Sequence, residues 1–206
     1  MLPLMDIASL LIFAAALAVV AASPGPSIAA LVARVIARGW RDVLPFLAGM
    51  WFGEAIWLAL AVFGLVVIAE TFHWLFVVLK WVGVAYLVWI AWKMWSAPVT
   101  DGMNAPRGDA PPRTFLAGLA VMLGNPKAMM FYLALLPAIV DIAHVSVLGW
   151  AELTFAMLIV LAAVDLSWTF AATQARRLLT SPRAVRAANR IGAGVMAGAA
   201  AAIAAK

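Results

Sequence analysis

Two carboxylic acids, Glu54 and Asp165, each interrupt a long apolar run. An acid at the centre of a membrane span costs at least ~2.5–3.5 kcal/mol on insertion scales, so it normally faces a cavity or a partner. Burial disfavours the charged form of a carboxylic acid, and such a group can trade protons near neutral pH. That chemistry suits coupling solute export to proton entry. It suits equally well the holding of a substrate ammonium group. The competing reading is a structural ion pair with Lys127, which with Lys80 is one of two basic residues at membrane depth. Trp57 and Trp168 each follow their acid by one helical turn and share its face. They either wall a cavity around the acids or pack between helices. Tyr86 and Tyr132 are open to the same two readings.

A second set of groups is supplied by backbone. Ser23-Pro24-Gly25-Pro26 and Gly124-Asn125-Pro126-Lys127 each lie inside an apolar stretch. Proline lacks the N–H donor and clashes with the preceding turn, so each motif is expected to break a helix at membrane depth. A helix restarting at Ser27 and another at Lys127 would each present free N–H groups and a positive dipole end. Two such ends beside one cavity make a site for an anion, an amino-acid carboxylate for example. Lys127 adds a full charge, and Ser23, Ser27 and Asn125 either satisfy freed backbone groups or contact substrate. The plainer alternative is a pair of kinks with locally satisfied backbone. At ~1.5 Å per residue, Pro126 falls near the midplane and Pro26 nearer the cytoplasm. Counted along straight helices, the two breaks lie at different depths, which leaves open whether they share one cavity.

The elements that must position these groups are transmembrane helices. Of 206 residues, 67% are hydrophobic and 11% charged, against roughly 45–50% and 25% in soluble domains. The absence of cysteine excludes disulfides, zinc–thiolate sites and thiol catalysis, and argues against a soft-metal exporter. His73 and His144 fall at span ends as interfacial polar residues, so neither a metal site nor a cofactor is expected. No His/Ser/Asp cluster has catalytic spacing, which argues against an enzyme. The net charge of +5 comes from arginines in short loops. It reports topology rather than nucleic-acid binding. The first apolar run, Ile7–Ala22, is preceded by Asp6 and by no Lys or Arg. It is expected to be an uncleaved first span rather than a signal peptide.

Six spans are expected, near residues 7–37, 43–69, 72–95, 114–140, 146–172 and 191–205, with spans 1 and 4 broken at the two proline motifs. Arg34, Arg38, Arg41, Lys93, Arg107 and Arg113, together with Arg176, Arg177, Arg183, Arg186 and Arg190, mark the cytoplasmic side. Asp6, Glu70, His73, Asp141, His144, Glu152 and Lys206 fall on the other side, so both termini are predicted to be periplasmic. Three spans per half reverse the orientation of the second half, giving a 3+3 inverted-topology repeat. Residues 1–95 form the first three-helix unit, 96–113 a cytoplasmic linker and 114–206 the second unit. Glu54-Ala55-Ile56-Trp57 matches Asp165-Leu166-Ser167-Trp168, Gly83 matches Gly192, and the proline motifs match each other. Gly49-xxx-Gly53 and Gly194-xxx-Gly198 permit close helix approach, within the chain or in a homodimer.

These motifs together resemble the LysE/RhtB family of bacterial amino-acid exporters over nearly the whole chain. The resemblance is carried by Ser23-Pro24-Gly25-Pro26 with Gly39 and Gly49 after it, and by Gly53-Glu54-Ala55-Ile56-Trp57. Gly83-Val84-Ala85-Tyr86-Leu87, Asn125-Pro126-Lys127-Ala128 with Phe131 and Pro137, and Asp165-Leu166-Ser167-Trp168 complete it. It implies proton-driven export of amino acids or related small zwitterions across the bacterial inner membrane, with membrane lipid as surroundings. Glu54 stands where the family more often has Asp, and Ala138 follows Pro137 where many members carry Gln-Phe. A lipid scramblase, another polytopic membrane enzyme and a divalent-cation exporter remain as alternatives.

Overall fold

Asp6 starts the first helix by accepting a hydrogen bond from the Ser9 amide at 3.2 Å, the usual work of an N-cap carboxylate. Helix α1 (Ile7–Ala22) stops because Pro24 bars Ser23 from helical backbone angles, and Ser23 is extended at φ −68°, ψ 132°. Pro26, at the first helical position, restarts the chain as α2 (Pro26–Arg38). Gly39 ends α2 at φ +93°, the one positive φ among the described residues, where an L side chain would be strained. A short 3-10 turn (Trp40–Val43) then runs directly into α3 (Leu44–Val62).

The computed structural model describes residues 5–63 and 110–178, and further residues 81, 84–85, 88–89, 91–92, 95–96, 186–187, 190–191, 193–194, 197–198 and 201. Predicted spans 3 and 6 and the 96–113 linker therefore lie largely outside the described residues. So do Glu70, His73, Lys80, Gly83, Tyr86, Gly192 and Lys206.

The second described block repeats the grammar of the first. Prolines 111 and 112 start α4 (Pro111–Leu123). Asn125 is extended ahead of Pro126, and α5 (Pro126–Met130) restarts the helix. The chain widens into a π-helical turn (Phe131–Leu135) before α6 (Leu136–Ile139). Pro137 accounts for the widening, since its ring would meet the Leu133 carbonyl in a regular α-turn. After a 3-10 turn (Ile142–His144), α7 (Val147–Leu178) runs unbroken for 32 residues. It extends past the predicted end near residue 172. No Gly or Pro lies between residues 172 and 178, and Arg176 and Arg177 sit in its last turn, where cations favour the helix dipole.

Every regular element among the described residues is helical. Trp40–Val62 and Val147–Arg177 are each long and apolar enough to cross a membrane. The pairs α1–α2 and α4–(α5–α6) pass the same test as bent units, with bends of 57° and 51°, giving up to four spans. Packing is densest between α3 and α4, and both halves of the first bent pair lie on α7. The α3–α4 crossing is backbone on backbone. A Cβ placed on Gly49 would lie 2.9 Å from the Leu119 nitrogen and closer still to the Phe115 carbonyl oxygen. One on Gly118 would meet the Phe46 carbonyl in the same way. Lipid gives helices no hydrophobic reason to associate, so such small-residue contacts carry the packing. Apolar side chains such as Val19, Phe155, Ile159 and Phe170 remain exposed around the bundle.

Candidate functional site

The two bends bring the starts of α2 and α5 together in the interior. Ser27 and Ile28 from α2, and Lys127 and Ala128 from α5 with its N-cap Asn125, line one cavity with Glu54 of α3 and Asp165 of α7. Its volume is about 20 Å³, room for one water molecule. Ser27, Glu54, Asn125 and Asp165 are all buried. The straight-helix count left their meeting open because it took no account of the 57° bend.

Hydrogen bonds tie the breaks to each other. Asn125 Nδ2 donates to Ser27 Oγ at 3.1 Å, while Asn125 Oδ1 accepts from the Lys127 amide at 3.1 Å and caps α5. The Lys127 ammonium crosses to the end of α1. It donates to Val20 O at 2.8 Å, Ser23 O at 2.7 Å and Ser23 Oγ at 3.3 Å. Those are three acceptors for its three N–H groups, at the negative end of a helix dipole. Gly25 leaves room for this crossing: a Cβ there would lie 3.2 Å from Lys127 Nζ. Lys127 is also within electrostatic reach of both acids.

The two acids are held differently. Asp165 Oδ2 accepts from the indole N–H of Trp51 at 2.8 Å. Glu54 Oε2 is buried without a hydrogen-bond partner. The Tyr132 hydroxyl stands beside the Glu54 carboxyl but outside good hydrogen-bond geometry, and it too is unpartnered.

Aromatic and polar contacts flank the cavity. Toward the α1 start, Phe13 packs on Phe131 with ring centroids 6.1 Å apart. Phe131 meets Tyr132 edge-on at 5.0 Å. At the start of α1 lies an open recess of about 250 Å³ lined by Asp6, Ser9, Asp141 and His144 among others. His144 Nδ1 lies 2.8 Å from Asp141 Oδ2 there, and both side chains are exposed. Toward the α2 end, Arg34 Nη2 donates to Thr114 Oγ1 at 3.0 Å and Arg34 Nε lies 3.6 Å from Asp42. Among the described residues no group of His, Cys, Asp and Glu could hold a metal ion.

Residues from the starts of two broken helices and three ionisable side chains, Glu54, Lys127 and Asp165, thus line one small cavity. The LysE type translocator family matches residues 18–206. The chain belongs to that family. Members of the LysE family are transporters, so this is a multi-pass membrane transport protein rather than an enzyme. Among its relatives is a leucine efflux protein of Klebsiella pneumoniae, 30% identical over 58% of this chain and 57% of that protein. A homoserine/homoserine lactone efflux protein of Salmonella typhimurium is 26% identical over 82% of each chain. A threonine efflux protein of Escherichia coli K12 is 29% identical over 53% of this chain and 56% of its own. No solved structure matches.

In this LysE-family chain the predicted residues fall into two groups. Ser27, Glu54, Asn125, Lys127 and Asp165 converge on the cavity; Ser23, Pro24, Gly25, Pro26 and Pro126 shape its rim without lining it. Trp57 and Trp168 do not line it either. Trp57 is buried, and its indole N–H donates to the Met122 carbonyl at 3.3 Å, at the end of α4. Sequence reasoning missed Trp51, Asp42 and Thr114. Trp51 had a signal: it precedes Glu54 by three residues, and helical side chains lean toward the N-terminus.

Proposed function

We propose that the chain exports amino acids or closely related small zwitterions across the bacterial inner membrane in exchange for entering protons. One observation carries this reading. Two buried acids and residues from both helix breaks line a single cavity. The efflux relatives, all bacterial, support the solute class and the direction. In this reading Ser23, Ser27, Asn125 and Lys127 form the binding region with the proline-shaped breaks, and Glu54 and Asp165 hold the ammonium or the proton. Trp57 and Trp168 support the helices that carry the acids. The architecture is six spans in a 3+3 inverted repeat, with both termini periplasmic. The recess at Asp6 and Asp141 then faces the periplasm, and the Arg34–Asp42–Thr114 cluster faces the cytoplasm. A second copy of the chain packed on the Gly194-xxx-Gly198 face belongs to the same reading.

The test is uptake of labelled leucine, threonine and homoserine into inverted membrane vesicles with an imposed pH gradient. Gradient-driven accumulation is expected, and it is lost in the Glu54→Gln, Asp165→Asn double variant. Undiminished gradient-driven accumulation by that variant would remove the acids from the coupling.

A further inference from the structure

We infer that the cavity reads the two ends of a zwitterion with two separate elements: the start of α2, through Ser27, takes the carboxylate, and Glu54 takes the ammonium. This rests on the proposed transport of amino acids and sharpens it. Lys127 is the obvious carboxylate ligand by charge, but its three donors are committed to Val20 and Ser23 at the end of α1. It acts as a clasp between the two broken helices. Asp165 is the obvious alternative to Glu54, but one of its oxygens is held by Trp51.

What remains uncommitted is specific. The α5 start is capped by Asn125, whereas the α2 start carries no side-chain cap. Pro26 has no N–H, so the first free amides of α2 belong to Ser27 and Ile28, both on the cavity wall. Ser27 Oγ accepts from Asn125, which leaves the Ser27 O–H free to donate. These donors, with the positive helix end behind them, match a carboxylate. Across the cavity, the buried Glu54 Oε2 makes no hydrogen bond of good geometry and, among the described residues, has only the Tyr132 hydroxyl beside it. A primary ammonium supplies a donor with charge assistance. The space holds about one water, so the head group needs it to widen.

The test crosses variants with truncated ligands. Binding to purified protein in nanodiscs is measured calorimetrically for L-leucine, for 3-methylbutylamine, which lacks the carboxylate, and for 4-methylpentanoate, which lacks the ammonium. L-threonine and L-homoserine with their corresponding amines and acids form parallel series. Ser27→Ala is expected to weaken the amino acid and the carboxylic acid about 10- to 100-fold, the worth of one hydrogen bond to a charged group, and to leave the amine unchanged. Glu54→Gln is expected to weaken the amino acid and the amine by a similar factor and to leave the carboxylic acid unchanged. Ser27→Cys, with a weaker donor, is expected to follow Ser27→Ala in direction and serves if alanine impairs folding. The inference is overturned if Ser27→Ala weakens the amine as much as the acid. It is also overturned if Lys127→Met abolishes binding of the acid while Ser27→Ala spares it. In either case the amino acid still binds wild type, so the transport reading stands. Failure of all three amino acids to bind wild type would remove both.

Discussion

Replacing Gly49 by alanine tests whether the α3–α4 crossing holds the site together. The added Cβ would sit 2.9 Å from the Leu119 nitrogen and the Phe115 carbonyl carbon, with the Phe115 oxygen closer still. Favourable contact begins near ~3.5 Å, so the helices must part by at least about 0.6 Å. The obstacle is helix backbone, which cannot swing aside as a flexible side chain would. A gap of that size forfeits about a quarter of each dispersion contact across the interface. At ~0.1–0.2 kcal/mol per atom pair, losing a quarter from about a hundred pairs removes about 2.5–5 kcal/mol, at or above the upper end of the ~1–3 kcal/mol typical of overpacking. In lipid no hydrophobic term compensates. The assay is unfolding of the purified protein in mixed micelles of rising SDS fraction, followed by helical circular dichroism. Gly118→Ala is expected to cost a similar amount. The Gly49→Ala, Gly118→Ala pair should cost less than the two singles together, because both methyl groups pry open one crossing. Gly194→Ala is the control, since a Cβ there meets nothing within 4 Å among the described residues. A Gly49→Ala protein within about 0.5 kcal/mol of wild type, an ordinary surface effect, would refute the reasoning.

Asn125→Ala removes the cap of α5 and the link to Ser27 at once. In the same titration it is expected to lose about 1–3 kcal/mol, and an unchanged midpoint would mean that water replaces both bonds. Asp165→Asn is expected to abolish proton-driven transport, and adding Lys127→Gln is expected to restore part of it by returning the cavity to its original charge. Vesicle uptake checks this, and a double variant no better than Asp165→Asn alone would dismiss the charge balance.

The helix breaks were legible because proline acts locally: Pro24 dictates Ser23, and Pro126 dictates Asn125, whatever surrounds them. Glu54 and Asp165 were legible because an acid in an apolar run is costly without a purpose. Gly49 was legible as half of a small-residue motif, but its counterpart Gly118 was not. A lone glycine gains meaning only from the backbone laid against it, here that of Phe46. Gly194-xxx-Gly198 has the same pattern as Gly49-xxx-Gly53 and no described neighbour, so the pattern alone does not separate the two. The partners of Lys127 were out of reach for a different reason. Its charge suggested an anion, whereas the bend in α1–α2 presents it with the carbonyl oxygens of Val20 and Ser23. Trp51 was passed over for Trp57 because the acid-x-x-Trp repeat drew attention to the following turn rather than the preceding one.

The charges lining the cavity give a physical reason for pairing two acids with one lysine. Lys127, Glu54 and Asp165 are its only ionisable lining groups among the described residues. With both acids ionised their formal sum is one negative charge, and in an apolar interior that charge needs a partner. A proton on one acid supplies it. A zwitterion leaves the sum unchanged, because its ammonium and carboxylate cancel; with its carboxylate on the start of α2, its ammonium offsets one acid only locally. Without the proton the cavity stays one charge negative whether or not substrate is bound. Removing a single charge of either sign upsets that balance, which is why Asp165→Asn is expected to fail alone and to recover when Lys127 is neutralised with it.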